Sequence, residues 1–143
     1  DTGDWTWFGT HIGSNGSVLP TNSETLSQGF GFIVPIRRLD DIAPIGTRLI
    51  KIDVEGAEIS VLRSGLAVLQ RDRPSIIMEF SCEMVHRVSV IEPRTALEWI
   101  KGLGYEIAVI NKESHEPVAI TADELINNWG SSTRIEDLLL TPL

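Results

Sequence analysis

The stretch Leu49-Ile50-Lys51-Ile52-Asp53-Val54-Glu55-Gly56-Ala57-Glu58 combines the signals of a buried strand and of a tight turn that leads into a helix. Its first residues alternate between β-branched or apolar side chains and charged ones, and they predict a strand over 48–53. Apolar side chains then recur at helical spacing from Gly56 to Leu69, which predicts a helix that Arg73-Pro74 ends. A strand followed at once by a helix is the repeating unit of α/β proteins.

The same alternation continues on both sides of this stretch. The run Ser75-Ile76-Ile77-Met78-Glu79-Phe80 is almost continuously apolar and predicts a strand that is covered on both faces. A helix that begins at Pro93 precedes a predicted strand over 105–110, and another predicted strand lies upstream at 32–36. The order strand, helix, strand, helix, strand indicates an α/β fold with a parallel sheet.

A length of 143 residues fits one domain with a sizeable core. Residues 1–31 are predicted to be an irregular lead-in with one short strand, and 32–110 to be the α/β core. Residues 111–143 are predicted to add a hairpin arm, a helix and a final strand at 137–141. Thr121 and Glu124 have the spacing of a capping box at the start of that last helix.

Composition excludes several classes of protein. Twelve basic against 20 acidic residues give a formal net charge of −8, which a phosphate backbone would repel, so no nucleic-acid partner is expected. No apolar run is long enough for a membrane helix, so no membrane partner is expected either. The single cysteine, Cys82, cannot form an internal disulfide and favours a cytoplasmic protein. The three histidines lack the spacing of zinc ligands, so no metal site is predicted from them.

Four charged residues mark a candidate site. Strand alternation puts Lys51, Asp53 and Glu55 on one side of the first core strand. Since a central strand is buried on both faces, Lys51 needs a partner, and Glu79 at the matching end of the next strand is the obvious one. Asp53 and Glu55 fall at the carboxyl edge of the sheet, where α/β proteins bind ligands. A purely structural alternative also stands, in which Asp53 or Glu55 caps the helix and Lys51 pairs with Glu79.

Three segments together resemble FkbM-family methyltransferases: Ile36-Arg37-Arg38-Leu39-Asp40-Asp41-Ile42, the stretch from Leu49 to Glu58, and Arg73-Pro74-Ser75-Ile76-Ile77-Met78-Glu79-Phe80. The resemblance implies a Rossmann-like class I methyltransferase that uses S-adenosylmethionine, with a seven-stranded sheet covered by helices on both faces. The substrate would be a small molecule that accepts a methyl group on a hydroxyl, such as a sugar, a polyketide or a related metabolite.

The resemblance places 48–53, 75–80, 105–110 and 137–141 as the fourth to seventh strands, the seventh being antiparallel. The chain would therefore hold only the C-terminal half of the sheet. The family's glycine-rich turn, which holds the amino-acid part of the cofactor, is absent from this sequence, so the cofactor-binding residues are unknown. We expect the 143 residues alone to be inactive.

By the same resemblance, Asp53 would face the methyl donor and the acceptor, as a base, a substrate orienter or a metal ligand. Glu55 would anchor the substrate or brace the turn, and Lys51 and Glu79 would support them. Two other functions stay open. One is a non-catalytic α/β interaction module that pairs through exposed strand edges with another chain, including a second copy. The other is a metal-dependent phosphoryl-transfer enzyme in which Asp53 and Glu55 hold magnesium.

Overall fold

A computed structural model of the chain describes residues 5–10, 17–19, 30–130 and 133–143, and those before 35 through their backbone alone. Near the amino terminus, β1 (Trp5–Thr10), β2 (Ser17–Leu19) and β3 (Phe30–Pro35) form an antiparallel sheet in the order β2-β1-β3. The predicted lead-in over 1–31 thus contains more strand than the single short one expected, and the rest of it lies outside the described residues.

The remaining strands form a mixed five-stranded sheet in the order β4-β5-β8-β6-β7. Its members are β4 (Leu49–Ile52), β5 (Ser75–Phe80), β6 (Tyr105–Ile110), β7 (Pro117–Ala119) and β8 (Glu136–Pro142). β4 and β5 are parallel, whereas β8 is antiparallel to both β5 and β6. The strands predicted over 48–53, 75–80, 105–110 and 137–141, the hairpin arm and the antiparallel direction of the last strand are confirmed. The strand predicted at 32–36 does not join this sheet, because β3 pairs with β1 in the amino-terminal antiparallel sheet.

Six helices connect these strands in the described part of the chain: α1 (Leu39–Ile42), α2 (Glu58–Ser64), α3 (Leu66–Asp72), α4 (Cys82–Ser89), α5 (Pro93–Gly102) and α6 (Ala122–Trp129). The capping box of Thr121 and Glu124 is present at the start of α6, as predicted. The predicted helix from Gly56 to Leu69 is instead two helices that meet at Gly65. A Cβ atom at Gly65 would lie 2.4 Å from the Leu39 side chain, so α1 packs where only a glycine fits.

Helix α4 was not predicted, because its eight residues span little more than two turns and show the helical period only weakly. The Ser81 hydroxyl caps its first turn by accepting a hydrogen bond from the Met84 amide. Among the helices of the described residues, none has the length and apolar character needed to cross a bilayer.

One face of the five-stranded sheet forms the core with the helices. Strands contribute Ile52, Ile76, Met78, Phe80, Tyr105, Ile107, Val109, Leu138 and Leu140, and helices contribute Ile59, Leu62, Leu69, Val85, Ala96, Leu97, Ile100 and Leu125. The strand register places these residues next to one another across the sheet. Every second residue of each strand therefore faces the core. Burial of each such aliphatic side chain stabilises the fold by about 1.5–3 kcal/mol.

The opposite face of the sheet is only partly covered. Ile77, Leu139 and Ala108 lie side by side on neighbouring strands and are half-buried, and Lys51 at the end of this row is exposed. The prediction that β5 is covered on both faces is therefore wrong for this chain. The buried helix residues named above all belong to the core on the other face.

A clamp at the amino ends of β5 and β6 joins the two halves of the sheet. Arg73 ends α3 with a left-handed backbone (φ 49°), and its guanidinium donates to the carbonyls of Leu103, at 2.8 Å, and Gly104, at 2.6 Å. The same group lies over the Tyr105 ring, 4.9 Å from its centre.

Candidate functional site

The carboxyl ends of β4, β5 and β6 meet at one edge of the sheet, where the antiparallel β8 begins. Asp53 follows β4, Glu79 lies near the end of β5, and Asp137 is the second residue of β8. Three carboxylates from three adjacent strands thus share the edge at which α/β proteins bind ligands. We call Asp53, Glu79 and Asp137 the acidic edge.

Lys51 is paired with Asp53 and not with Glu79. Its Nζ lies 2.9 Å from Oδ2 of Asp53, and the two side chains are 61% and 41% exposed. The hydrogen bond that Lys51 donates to Asp53 raises the pKa of Lys51. The expectation of a buried Lys51 bridged to Glu79 is wrong, because β4 is the edge strand of its sheet and water reaches this face.

Glu79 and Asp137 lie directly opposite each other on the antiparallel strands β5 and β8. Partial burial raises the pKa of Glu79, and the nearby charges of Asp53 and Asp137 raise it further, while Lys51 opposes them. Like charges in directly opposed strand positions destabilise a sheet. Sequence reasoning missed Asp137, although the alternation along the last strand places it on the same face as Leu139.

The turn after Asp53 has an unusual backbone. Glu55 and Gly56 both have positive φ, 51° and 97°, and the Ala57 amide donates to the Val54 carbonyl at 3.2 Å, as in a type I′ turn. A left-handed conformation is costly for a residue with a side chain, and such strain is found preferentially at functional sites. The half-buried Glu55 is therefore held at the carboxyl edge by a strained turn.

This turn is also fixed to α4. A Cβ atom at Gly56 would lie 2.6 Å from the Met84 carbonyl oxygen, so the turn contacts the α4 backbone directly. The Ser89 hydroxyl donates to the Gly56 carbonyl at 2.6 Å. Both contacts set the position of the turn relative to the core.

Glu58 supports the turn from inside the core, and sequence reasoning missed this role. It is 2% exposed, and its Oε1 accepts a hydrogen bond from the Gly56 amide at 2.9 Å. Its other oxygen has no hydrogen-bond partner among the described residues, and burial raises the pKa of this carboxyl. The signal available was its place in the first helical turn, where a Glu side chain can reach back to the preceding amides.

Glu58, rather than Asp53 or Glu55, thus accepts the hydrogen bond of the free backbone amide in the turn. The N-cap of α2 is Ala57, which makes no side-chain cap. The alternative in which Asp53 or Glu55 caps this helix is wrong. The Asp53 carboxylate is held by Lys51 at the surface.

The acidic edge is not a preformed metal cage. Within residues 35–130 and 133–143, no group of three or more His, Cys, Asp or Glu side chains is placed to hold a metal ion. A cavity of about 560 Å³ next to α6 has Tyr105, Thr121, Thr141 and Leu143 in its lining, far from Asp53 along the strands.

Comparison with known proteins gives one match. The sequence model of the methyltransferase FkbM domain matches residues 3–107, which include β4, β5, the acidic-edge residues Asp53 and Glu79, and the strained turn. Searches of curated proteins and of solved structures return no match. Since the match covers well over half of the chain, this protein belongs to the FkbM methyltransferase family.

Proposed function

We propose that the chain carries the acceptor-binding half of an S-adenosylmethionine-dependent O-methyltransferase domain, with a hydroxyl of a sugar, a polyketide or a related metabolite as the acceptor. Family membership supports methyl transfer. Strands β4, β5, β8 and β6 would be the fourth, fifth, seventh and sixth strands of a Rossmann-like class I sheet. The antiparallel β8 between β5 and β6 supports this assignment.

The observation that carries the proposal is the Asp53 carboxylate. It lies at the carboxyl edge, accessible to solvent, with its orientation fixed by Lys51 at 2.9 Å. A carboxylate in this place can accept the proton of an acceptor hydroxyl while it orients that oxygen. Positioning of the two reacting atoms supplies much of the rate of a displacement reaction, and a general base adds about 10²- to 10⁴-fold.

S-adenosylmethionine supplies a methyl group on a positively charged sulfur. The acidic edge fits such a ligand, because its three carboxylates face one ammonium, that of Lys51. The glycine-rich turn that would hold the amino-acid part of this cofactor has no counterpart in the sequence.

S-adenosylmethionine, when bound, would supply the methyl group, and Asp53 would take the proton of the acceptor hydroxyl as that oxygen receives it. An alcohol is a far weaker acid than a carboxylic acid, so the proton moves late in the transfer. Glu55 would bind a second hydroxyl of the acceptor, and Lys51 would hold Asp53 in place.

Asp53→Asn tests this assignment in the full-length protein, assayed with radiolabelled S-adenosylmethionine and a hydroxyl acceptor. We expect kcat to fall about 10²-fold or more with the fold intact. Asp41→Asn, an exposed acid on α1, is the matched control and should keep wild-type activity. A loss of less than about threefold for Asp53→Asn would show that Asp53 is not the base.

Calorimetric titration with S-adenosylhomocysteine tests the cofactor separately. We expect binding by the full-length protein and not by the 143 residues alone. Binding by neither would leave the interaction module, or the phosphoryl-transfer enzyme, as the function to test next. A monodisperse monomer in concentration-dependent light scattering would count against the interaction module.

A further inference from the structure

The turn between β4 and α2 has a conformation that its own residues do not favour. At its two central positions, Glu55 and Gly56 both have positive φ, as a type I′ turn requires. A type II turn would need a positive φ only at Gly56, where the absence of a Cβ atom removes the strain. Since a different closure of the same four residues would relieve Glu55, a contact from outside them has to favour the strained form.

Glu58 binds the one peptide of the turn that decides its type. The Glu58 Oε1 accepts the hydrogen bond of the Gly56 amide at 2.9 Å, and this amide belongs to the peptide between the two central residues. The direction of that peptide defines ψ of Glu55 and φ of Gly56, which are two of the angles in which turn types differ. A hydrogen bond to an ionised acceptor is strong enough to offset the cost of one left-handed residue.

Core packing alone does not account for a carboxyl group at position 58. Glu58 is 2% exposed, and its Oε2 has no hydrogen-bond partner among the residues that the structure describes. Burial raises the pKa of Glu58, backbone hydrogen bonds from the turn lower it, and the charge of the nearby Glu55 raises it again. An apolar side chain of similar size would avoid the cost of burying this group. The carboxyl group is therefore explained by the amide that it holds.

We propose that Glu58 is a positioning residue, which fixes the central peptide of the turn and thereby places the Glu55 side chain for the acceptor. Relaxation of φ at Glu55 from 51° to about −60°, as in a type II turn, would rotate its side chain by about 110° about the N–Cα bond. This assignment rests on the proposed function, in which Glu55 binds a second hydroxyl of the acceptor. Asp53 lies before the turn and is held by Lys51, so Glu58 acts on acceptor binding rather than on proton transfer.

The test is NMR spectroscopy of the 143-residue protein and of Glu58→Met, which removes the acceptor oxygens and keeps the length of the side chain. The readout is the nuclear Overhauser effect between the amide and α hydrogens of Glu55, which is strong where φ is positive because the two hydrogens are then closest. We expect this signal to weaken in Glu58→Met. Exchange of the Gly56 amide hydrogen with solvent should quicken at least about tenfold, because its charged acceptor is lost.

Two further variants are the controls. Glu58→Gln keeps an oxygen that can accept the Gly56 hydrogen bond, so Glu55 should keep its strong signal. Ser89→Ala removes the hydrogen bond at 2.6 Å to the Gly56 carbonyl, which belongs to the next peptide, so it should also leave Glu55 unchanged. A strong Glu55 signal in Glu58→Met, or an equal loss of signal in Glu58→Met and Ser89→Ala, would overturn the proposal.

A measurement on the unaltered chain decides the case in which Glu58→Met does not fold. We expect a scalar coupling across the hydrogen bond, between the amide nitrogen of Gly56 and the carboxyl carbon of Glu58. Absence of this coupling while Glu55 keeps a positive φ would overturn the proposal, because another contact would then hold the turn.

Titration of the full-length protein with S-adenosylhomocysteine separates this assignment from the proposed function. Cofactor binding together with an unchanged turn in Glu58→Met would overturn the role of Glu58 alone. A changed turn in Glu58→Met without cofactor binding by the wild-type protein would overturn methyl transfer and leave Glu58 as the residue that fixes this turn.

Discussion

At the residue scale, the site depends on how Lys51 balances the acidic edge. Sequence patterns located Asp53 and Glu79 at one edge of the sheet, since both follow from strand alternation and parallel pairing. They did not show that Lys51 is exposed, because the residues of a strand do not determine whether it lies at the edge or in the middle of a sheet. Asp137 was missed for a related reason: the register of β5 with β8 joins distant parts of the sequence.

Two substitutions should shift the pKa of Glu79 in opposite directions. Asp137→Asn should lower the pKa of Glu79, because it removes a neighbouring negative charge, and Lys51→Met should raise it, because it removes the positive one. Carbon-detected NMR of the Glu79 carboxyl against pH measures both. The exposed Lys51–Asp53 pair adds little to stability, so Lys51→Met should remain folded.

Asp123→Asn, on the distant helix α6, is the control and should leave the titration of Glu79 unchanged. A Glu79 pKa that moved in the same direction in Asp137→Asn and Lys51→Met would contradict the arrangement of charges at the acidic edge.

At the element scale, strands were predicted more accurately than helices. The apolar runs of β5 and β6 are confirmed, because continuous or alternating apolar residues specify a strand locally. The helix expected to run on to Leu69 is divided because α1 packs on Gly65, a tertiary contact that the periodicity does not contain. Helix α4 depends on the Ser81 cap and on burial of Val85.

Gly56→Ala should destabilise the turn for two separable reasons. The residue would keep a strained φ of 97°, and its new methyl carbon would clash with the Met84 carbonyl oxygen, 2.6 Å away. We expect a loss of about 2–5 kcal/mol in the free energy of unfolding, measured by urea denaturation.

Gly46→Ala provides the matched control for this loss. Gly46 also has a positive φ, 82°, but a Cβ atom there meets nothing within 4 Å. It should lose only about 1–2 kcal/mol, the cost of the backbone conformation. Equal losses at Gly46 and Gly56 would show that the contact with α4 does not hold the turn.

At the scale of the whole molecule, stability should depend on pH in two opposite ways. The ion pair with Arg71, together with hydrogen bonds from the backbone amides of Gly46 and Thr47, lowers the pKa of Asp72 from 3.8 to about 2. A carboxyl group whose pKa is lower in the folded than in the unfolded chain stabilises the fold at any pH above its unfolded pKa. That contribution is lost as the pH falls towards the folded pKa of about 2.

Glu58 and Glu79 act in the other direction. Their folded pKa values are raised by burial, so their protonated forms favour the folded state below 4.5, and that contribution is lost as pH rises through the raised values. The free energy of unfolding should therefore rise with pH through the range of Asp72 and then decline. Urea denaturation across the acid range measures this curve.

Two variants separate the rise of this curve from its decline. In Asp72→Asn, the free energy of unfolding should rise less with pH in the acid range. In Glu79→Gln, it should decline less at higher pH. A rise in the acid range that is unchanged in Asp72→Asn would refute the role of the Arg71 pair.

The Arg73 clamp should couple the local unfolding of β5 to that of β6. Its guanidinium binds two carbonyls at the start of β6 from the residue that leads into β5, so neither strand can separate at that end while the other stays closed. We expect the amide hydrogens of both strands to exchange with solvent at matching rates, as one cooperative unit. In Arg73→Lys, which cannot bind both carbonyls in the same planar geometry, the β6 amides should exchange first.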